Sequence, residues 1–125
     1  MKIEDIKSQI TSGIVDFEDL LKCVIALSAS EIEAYNTLLK EGSFITVYKM
    51  AKLMKKSRPT AQRLLQNLAS KGLALRKETL IDRGGRQYYY KAIPRQQVKE
   101  RIRQALAKWY SSALKRLEES REEIL

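Results

Sequence analysis

A chain of 125 residues, 31% charged and 44% hydrophobic, can build one modest core and is too short for a second domain with a core of its own. It has no histidine and a single cysteine, Cys23, which excludes an intrachain disulfide and a cysteine-rich metal site and removes the commonest general base and transition-metal ligand. The net charge of +9 is concentrated: residues 1–45 hold 4 Lys/Arg and 8 Asp/Glu, residues 46–99 hold 14 and 2, and residues 100–125 hold 6 and 5. A basic excess confined to about 50 residues points to a polyanion, nucleic acid or an acidic membrane surface, with a merely well-solvated surface as the plainer reading.

In chain order, Ile3, Ile6 and Ile10 fall at helical spacing before Gly13 breaks the pattern. MKIEDIKSQI lacks the apolar h-region of a secretory signal. The longest apolar run, LLKCVIAL at residues 20–27, is interrupted by Lys22 and falls far short of the roughly 20 residues a bilayer needs. A cytoplasmic protein without membrane association is expected. Asp16 can cap a second helix that buries Phe17, Leu20, Leu21, Val24 and Ile25, and Cys23 within that run is expected to be a buried, inert thiol. Residues 1–27 therefore read as packing and dimerisation helices.

SASEIEAYNTLLKEG, residues 28–42, opens with the Ser28/Glu31 spacing of a capping box, turns Ile32, Tyr35, Leu38 and Leu39 inward and stops at Gly42. In TVYKMAKLMKKS, Thr46 can cap, and Val47, Met50, Ala51 and Met54 repeat at i, i+3, i+4 and i+7. The next helix follows at once in SRPTAQRLLQNLASKG, residues 57–72. Ser57 can cap it, Pro59 sits where a missing N–H costs little, and Gly72 can close it in the left-handed conformation. Ala61, Leu64, Leu65 and Leu68 form its apolar stripe; the opposite side presents Pro59, Arg63, Gln66 and Ser70, flanked by Gln62 and Asn67, with no acid anywhere in the helix. Two short helices joined by a tight turn, the second with a polar outer face, are a helix-turn-helix signature.

After Gly72 the period changes. LALRKETLI and RQYYYKAI read as strands joined by DRGG, residues 82–85, and a hairpin directly after a helix-turn-helix is a wing, with Arg83 and Arg86 at its tip. Beyond Pro94 there is no further Gly or Pro, and Val98, Ile102, Leu106, Trp109, Ala113, Leu117 and Ile124 mark one stripe on a helix of about 30 residues, roughly 45 Å long. That rod exceeds what a domain of this size can cover, so its stripe is expected both to lean on the N-terminal helices and to meet a second copy of the chain.

The expected fold is mainly α with a small β-hairpin: N-terminal helices (residues 1–27), a winged helix-turn-helix (28–93) and a long C-terminal dimerisation helix (94–125). This order, together with Ala51, Ser57, TAQRLLQNL and KGL, resembles the winged helix-turn-helix transcription regulators. Within that group it is most similar to the small archaeal TrmB-like and Lrs-type regulators and more distantly to the MarR family. The resemblance implies double-stranded DNA binding as a homodimer. Full-length TrmB regulators carry a large sugar-binding domain after the DNA-binding one, whereas only the long helix follows here, so a sugar effector is not expected and the effector stays open.

If residues 58–71 enter a major groove, arginine can pair bidentately with guanine and glutamine with adenine, each worth about 1–3 kcal/mol of discrimination. Gln62, Arg63 and Gln66 are the base-reading candidates. Ser57, Arg58 and Thr60 suit phosphates, and Pro59 suits a thymine methyl or, more simply, the helix start. Lys49, Lys52, Lys55 and Lys56 crowd the preceding helix, which ordinarily crosses the backbone, and Arg83 and Arg86 suit the adjacent minor groove. Tyr88, Tyr89 and Tyr90 raise the rival idea of stacked single-stranded bases, but alternation sends Tyr88 and Tyr90 to one face and Tyr89 to the other, and core packing accounts for at least one of the two. The function expected is sequence-specific transcriptional regulation; an architectural DNA-coating protein and a winged-helix protein-interaction module are the alternatives. No enzyme, metal or cofactor is expected, since no nucleophile, base or ligand set is assembled.

Overall fold

The computed structural model describes residues 15–82 and 84–124. The expected helix carrying Ile3, Ile6 and Ile10 lies outside the described residues, as do Arg83 and the side chain of Ile124. Helix α1 (Phe17–Val24) is capped by Asp16, whose Oδ1 accepts the Asp19 N–H at 2.8 Å while Asp19 Oδ2 accepts the Asp16 N–H at 3.3 Å. Helix α2 (Ala29–Glu41) has the same reciprocal cap, from Ser28 and Glu31, and ends at Gly42 in the left-handed region with φ +66°. Strand β1 (Ile45–Thr46) leads straight into α3 (Val47–Met54), capped by the Thr46 hydroxyl. Lys55, left-handed at φ +56°, makes the turn into α4 (Arg58–Ser70). Strands β2 (Ala74–Leu80) and β3 (Arg86–Ala92) form the wing, and α5 (Arg95–Ile124) runs out from it.

The wing is one strand larger than the sequence implies. Ile45 and Thr46 pair antiparallel with Tyr90 and Tyr89, giving a three-stranded sheet in the order β1-β3-β2. A strand of two residues shows no alternation, and its second residue doubles as a helix cap, so no sequence period announces it.

One core unites these elements. Leu21 and Leu27, then Ile32, Ala34, Tyr35 and Leu38 of α2, Met50, Ala51 and Met54 of α3, the α4 stripe and Tyr90 of β3 are buried together. The Tyr35 hydroxyl donates to the Ile93 carbonyl at 2.8 Å, which pins α2 to the segment between wing and α5. Two expectations need correction. Cys23 is exposed rather than buried, because it sits two residues, about 200° of helical turn, from Leu21, the residue α1 does bury. Val98 and Ile102, expected on a seam with a second chain, are 0% and 3% exposed within this chain's own core. Ala113 is half-buried, whereas Leu106, Trp109 and Leu117 stand open, Trp109 at 69%. Among the described residues, no helix is long and apolar enough to cross a membrane.

The end of α4 is tied unusually well. The Leu73 N–H reaches back to the Leu68 carbonyl at 2.8 Å, and Gly72 takes φ +78°. Arg101 of α5 lays its guanidinium over this turn, donating from Nη1 to the Gly72 carbonyl at 2.6 Å and from Nη2 to the Lys71 carbonyl at 3.2 Å. A Cβ on residue 72 would stand 2.6 Å from Arg101 Nη1. Left-handed backbone costs a non-glycine residue roughly 1–2 kcal/mol. Gly72→Ala should therefore destabilise the protein by at least about that much, read as a lower urea midpoint with an unchanged slope.

Candidate nucleic-acid interface

Helices α3 and α4 bury facing apolar stripes, and that docking decides what α4 shows to solvent. Ala61, Leu64, Leu65 and Leu68 are fully buried. Residues on the opposite side are thereby forced outward: Arg58, Pro59, Gln62, Arg63, Gln66 and Ser70 are all exposed, and Thr60 and Asn67 half-buried. At the head of the helix the Ser57 Oγ accepts the Thr60 N–H at 3.3 Å and donates to Thr60 Oγ1 at 2.9 Å, so both hydroxyls are held by the cap. With no acid in the helix, the exposed face offers guanidinium and amide donors to an anionic partner.

A crevice of about 310 Å³ opens between the start of α4 and the wing, lined by Thr46, Tyr48, Arg58, Gln62, Arg86 and Gln87 among others. It brings Arg58 and Gln62 of α4 together with Arg86 of the wing, which lies more than 20 residues further along the chain. Tyr48, half exposed at 53%, lies at its edge with the Lys52 ammonium 4.4 Å and the Arg58 guanidinium 5.9 Å from its ring centre. Cations held over an aromatic face are pre-positioned. Sequence reasoning missed Tyr48. The signal was there: it precedes Lys52 by one helical turn and lies off the apolar stripe of α3. Tyr88, which also lines the crevice, has the Arg76 guanidinium 4.8 Å from its ring centre.

The other basic residues are not equivalent. Lys49 is paired with Glu41 at 3.2 Å, and Arg86 with Glu78 across the wing at 3.0 Å, so each already has an anionic partner. Lys52 and Lys55 are exposed and Lys56 half-buried. The wing turn is closed by the Gly84 N–H on the Ile81 carbonyl at 3.0 Å, with Gly84 at φ +80° and Leu80 79% exposed beside it.

At the far end of α4, Lys71 Nζ donates to Glu31 Oε1 and to the Ala26 carbonyl, both at 2.8 Å, so the helix is bolted to the start of α2. Burial raises the Glu31 carboxyl, but hydrogen bonds from Lys71, the Ser28 N–H and Asn67, with the Lys71 charge, outweigh it and hold it below its ordinary 4.5.

The chain that folds into this arrangement is matched over residues 21–96, which take in the two short helices and the wing but not the long terminal helix beyond its first turn, by the family model for TrmB, described as a sugar-specific transcriptional regulator. The chain belongs to the TrmB family. Two uncharacterised proteins of Methanocaldococcus jannaschii are similar to this TrmB-family chain, one 34% identical over 103 residues (82% of this chain, 77% of that protein) and one 32% identical over 105 (84% and 86%). Among solved structures, a possible transcriptional regulator from Methanosarcina mazei superposes with a TM-score of 0.73 at 26% identity, covering 84% of this chain and 94% of that one. A protein of the thermoacidophilic archaeon Sulfolobus tokodaii gives 0.62 at 18% identity, over 84% and 98%. A mutant of S. aureus MepR gives 0.50 at 15% identity, over 99% and 91%, a likeness of fold. The chain is thus a winged helix-turn-helix, DNA-binding regulator of transcription, a family of regulators rather than enzymes.

A carboxyl held below its ordinary value contributes stability that is complete above that value and is lost as the pH falls through it toward the native one. Stability should therefore decline as the pH drops below 4.5, in part through Glu31. Glu31→Gln should cost about 1.5–3 kcal/mol at neutral pH and flatten that acid limb, as followed by urea unfolding from pH 3 to 7.

Proposed function

We propose that this TrmB-family protein is a homodimer that reads a specific double-stranded DNA sequence, with α4 in the major groove and the wing on the neighbouring minor groove and backbone. The observation that carries this reading is the exposed outer face of α4, where Gln62, Arg63 and Gln66 project from a helix whose opposite stripe is buried. Gln62, Arg63 and Gln66 are assigned to base edges. Ser57, Arg58 and Thr60 are assigned to the phosphates at the groove margin, Pro59 to a thymine methyl or simply the helix start, and Lys52, Lys55 and Lys56 to the flanking backbone. Arg83 and Arg86 serve the wing, and Lys49, already paired with Glu41, contributes least.

The crevice between α4 and the wing supports the same geometry. When a helix fills the major groove and a hairpin the adjacent minor groove, the phosphate chain separating the two grooves must cross between them. Tyr48, Arg58, Arg86 and Gln87 stand where that chain would pass, with Gln62 on the groove side of it. MepR, which shares the fold, is known bound to an oligodeoxyribonucleotide.

For the dimer, the support is the outer part of α5. Leu106, Trp109 and Leu117, with Tyr110 and Leu114, remain exposed along a helix that leaves the domain. Five large apolar side chains on one rod make a patch that soluble monomers rarely expose. Ala113 completes the seam, and Val98 and Ile102, buried at its root, fix the direction in which the rod leaves.

Selection of bound duplexes from a random pool should yield a two-fold-symmetric site with half-sites about 34–36 Å apart. Arg63→Ala should cost about 1–3 kcal/mol on that site and relax the preference at one position in each half-site. Equal affinity for all duplexes would instead make the protein architectural, and no competition by duplex at low salt would make it a protein-interaction module. Truncation before Trp109 should convert dimer to monomer by sedimentation; an unchanged mass would contradict the seam.

A further inference from the structure

Among the described residues, Arg101 is the side chain of the long helix that hydrogen-bonds the turn closing the reading helix. Its Nη1 donates to the Gly72 carbonyl at 2.6 Å and its Nη2 to the Lys71 carbonyl at 3.2 Å, at the C-terminal end of α4, where backbone carbonyls lack partners within the helix. The contact is charge-assisted and forked, so it restrains direction as well as distance. It is also built for: Gly72 is the residue beneath it, and any side chain there would occupy the guanidinium's place.

The position of this contact along α5 gives it leverage. Val98 and Ile102, on either side of Arg101, are sealed in the core, and the exposed stripe begins one turn later at Leu106. Arg101 thus sits at the junction between the part of α5 that belongs to the domain and the part that leaves it. The other end of the connection is equally firm, since the neighbouring Lys71 is bolted to Glu31 and the Ala26 carbonyl. A change in the angle of α5 is therefore transmitted to α4 through the Lys71–Gly72 turn.

We infer that Arg101 is a positioning residue that sets the spacing between half-sites which the protein accepts, by fixing the orientation of α4 relative to the dimer-forming rod. The inference rests on the dimeric reading above. One added base pair moves two half-sites apart by about 3.4 Å and rotates one against the other by roughly 36°. A rigid junction meets only one such arrangement well, whereas a loosened one accommodates several. Arg101 touches no DNA in this scheme; its effect is on discrimination between spacings and not on the affinity of a single half-site.

The test uses the full chain and duplexes carrying the selected half-site in single copy, at the selected spacing, and at spacings one base pair longer and shorter. The wild type should prefer its own spacing by tenfold or more. Arg101→Met keeps the aliphatic stem and removes the donors; it should reduce that ratio to less than threefold while binding the single half-site within twofold of wild type. Arg101→Lys, which keeps a cation at the carbonyls but not the fork, should fall between. Thermal unfolding of each variant establishes that the chains compared are folded. An Arg101→Met protein that keeps the wild-type ratio would overturn the role of Arg101 and leave the dimeric reading intact. Uniform weakening on every duplex, the single half-site included, would also overturn it, reducing Arg101 to a stabilising contact. A wild type indifferent to spacing would overturn the dimeric reading and the inference with it.

Discussion

The burial of four side chains on α4 governs most of what this protein can do. Ala61, Leu64, Leu65 and Leu68 occupy the centre of the core, in contact with α2, α3 and the sheet, and their removal from water rivals any other single contribution to the fold. A helix that commits one stripe so fully has no rotational freedom left. The guanidinium and amides on its other side are therefore held outward by the core rather than by any partner of their own. Recognition chemistry and folding are two faces of one helix, and the first is fixed by the second.

Around that helix the remaining elements act as braces. Ser57 and Thr60 close its head, Lys71 and Glu31 fasten its tail to α2, and Arg101 and Gly72 join the same tail to α5. The wing, anchored by Tyr90 against β1 and the core, stands across a crevice from Arg58 and Gln62. Two rings that line the crevice each have a guanidinium nearby, Tyr48 that of Arg58 and Tyr88 that of Arg76. Two acids near this surface, Glu41 and Glu78, pair with Lys49 and Arg86 and so hold those basic side chains in place.

Local signals in the sequence were enough for most of this. The caps at Asp16, Ser28, Thr46 and Ser57 are read from residue types one turn apart, and the stripes of α3 and α4 from a period of 3.6, so both helices could be placed within a residue or two. What could not be read depends on contacts between distant residues. β1 exists only because Ile45 and Thr46 meet Tyr90 and Tyr89. The stripe of α5 is uniform in sequence, and only the fold divides it into Val98 and Ile102, which the core takes, and Leu106, Trp109 and Leu117, which it leaves exposed. Cys23 misled because an apolar run was taken for an apolar face. The contact of Arg101 is likewise one between distant residues, since nothing in the sequence around it announces a partner 29 residues away.

The central claim, that the outer face of α4 lies in the major groove, is tested most directly by methylation interference on the selected duplex, because N7 of guanine is presented only there. The account predicts that methylated guanines block binding in two clusters about one helical turn apart, and that Arg63→Ala relieves the block at one guanine in each cluster. Binding untouched by methylation at every guanine of a guanine-containing site would contradict it.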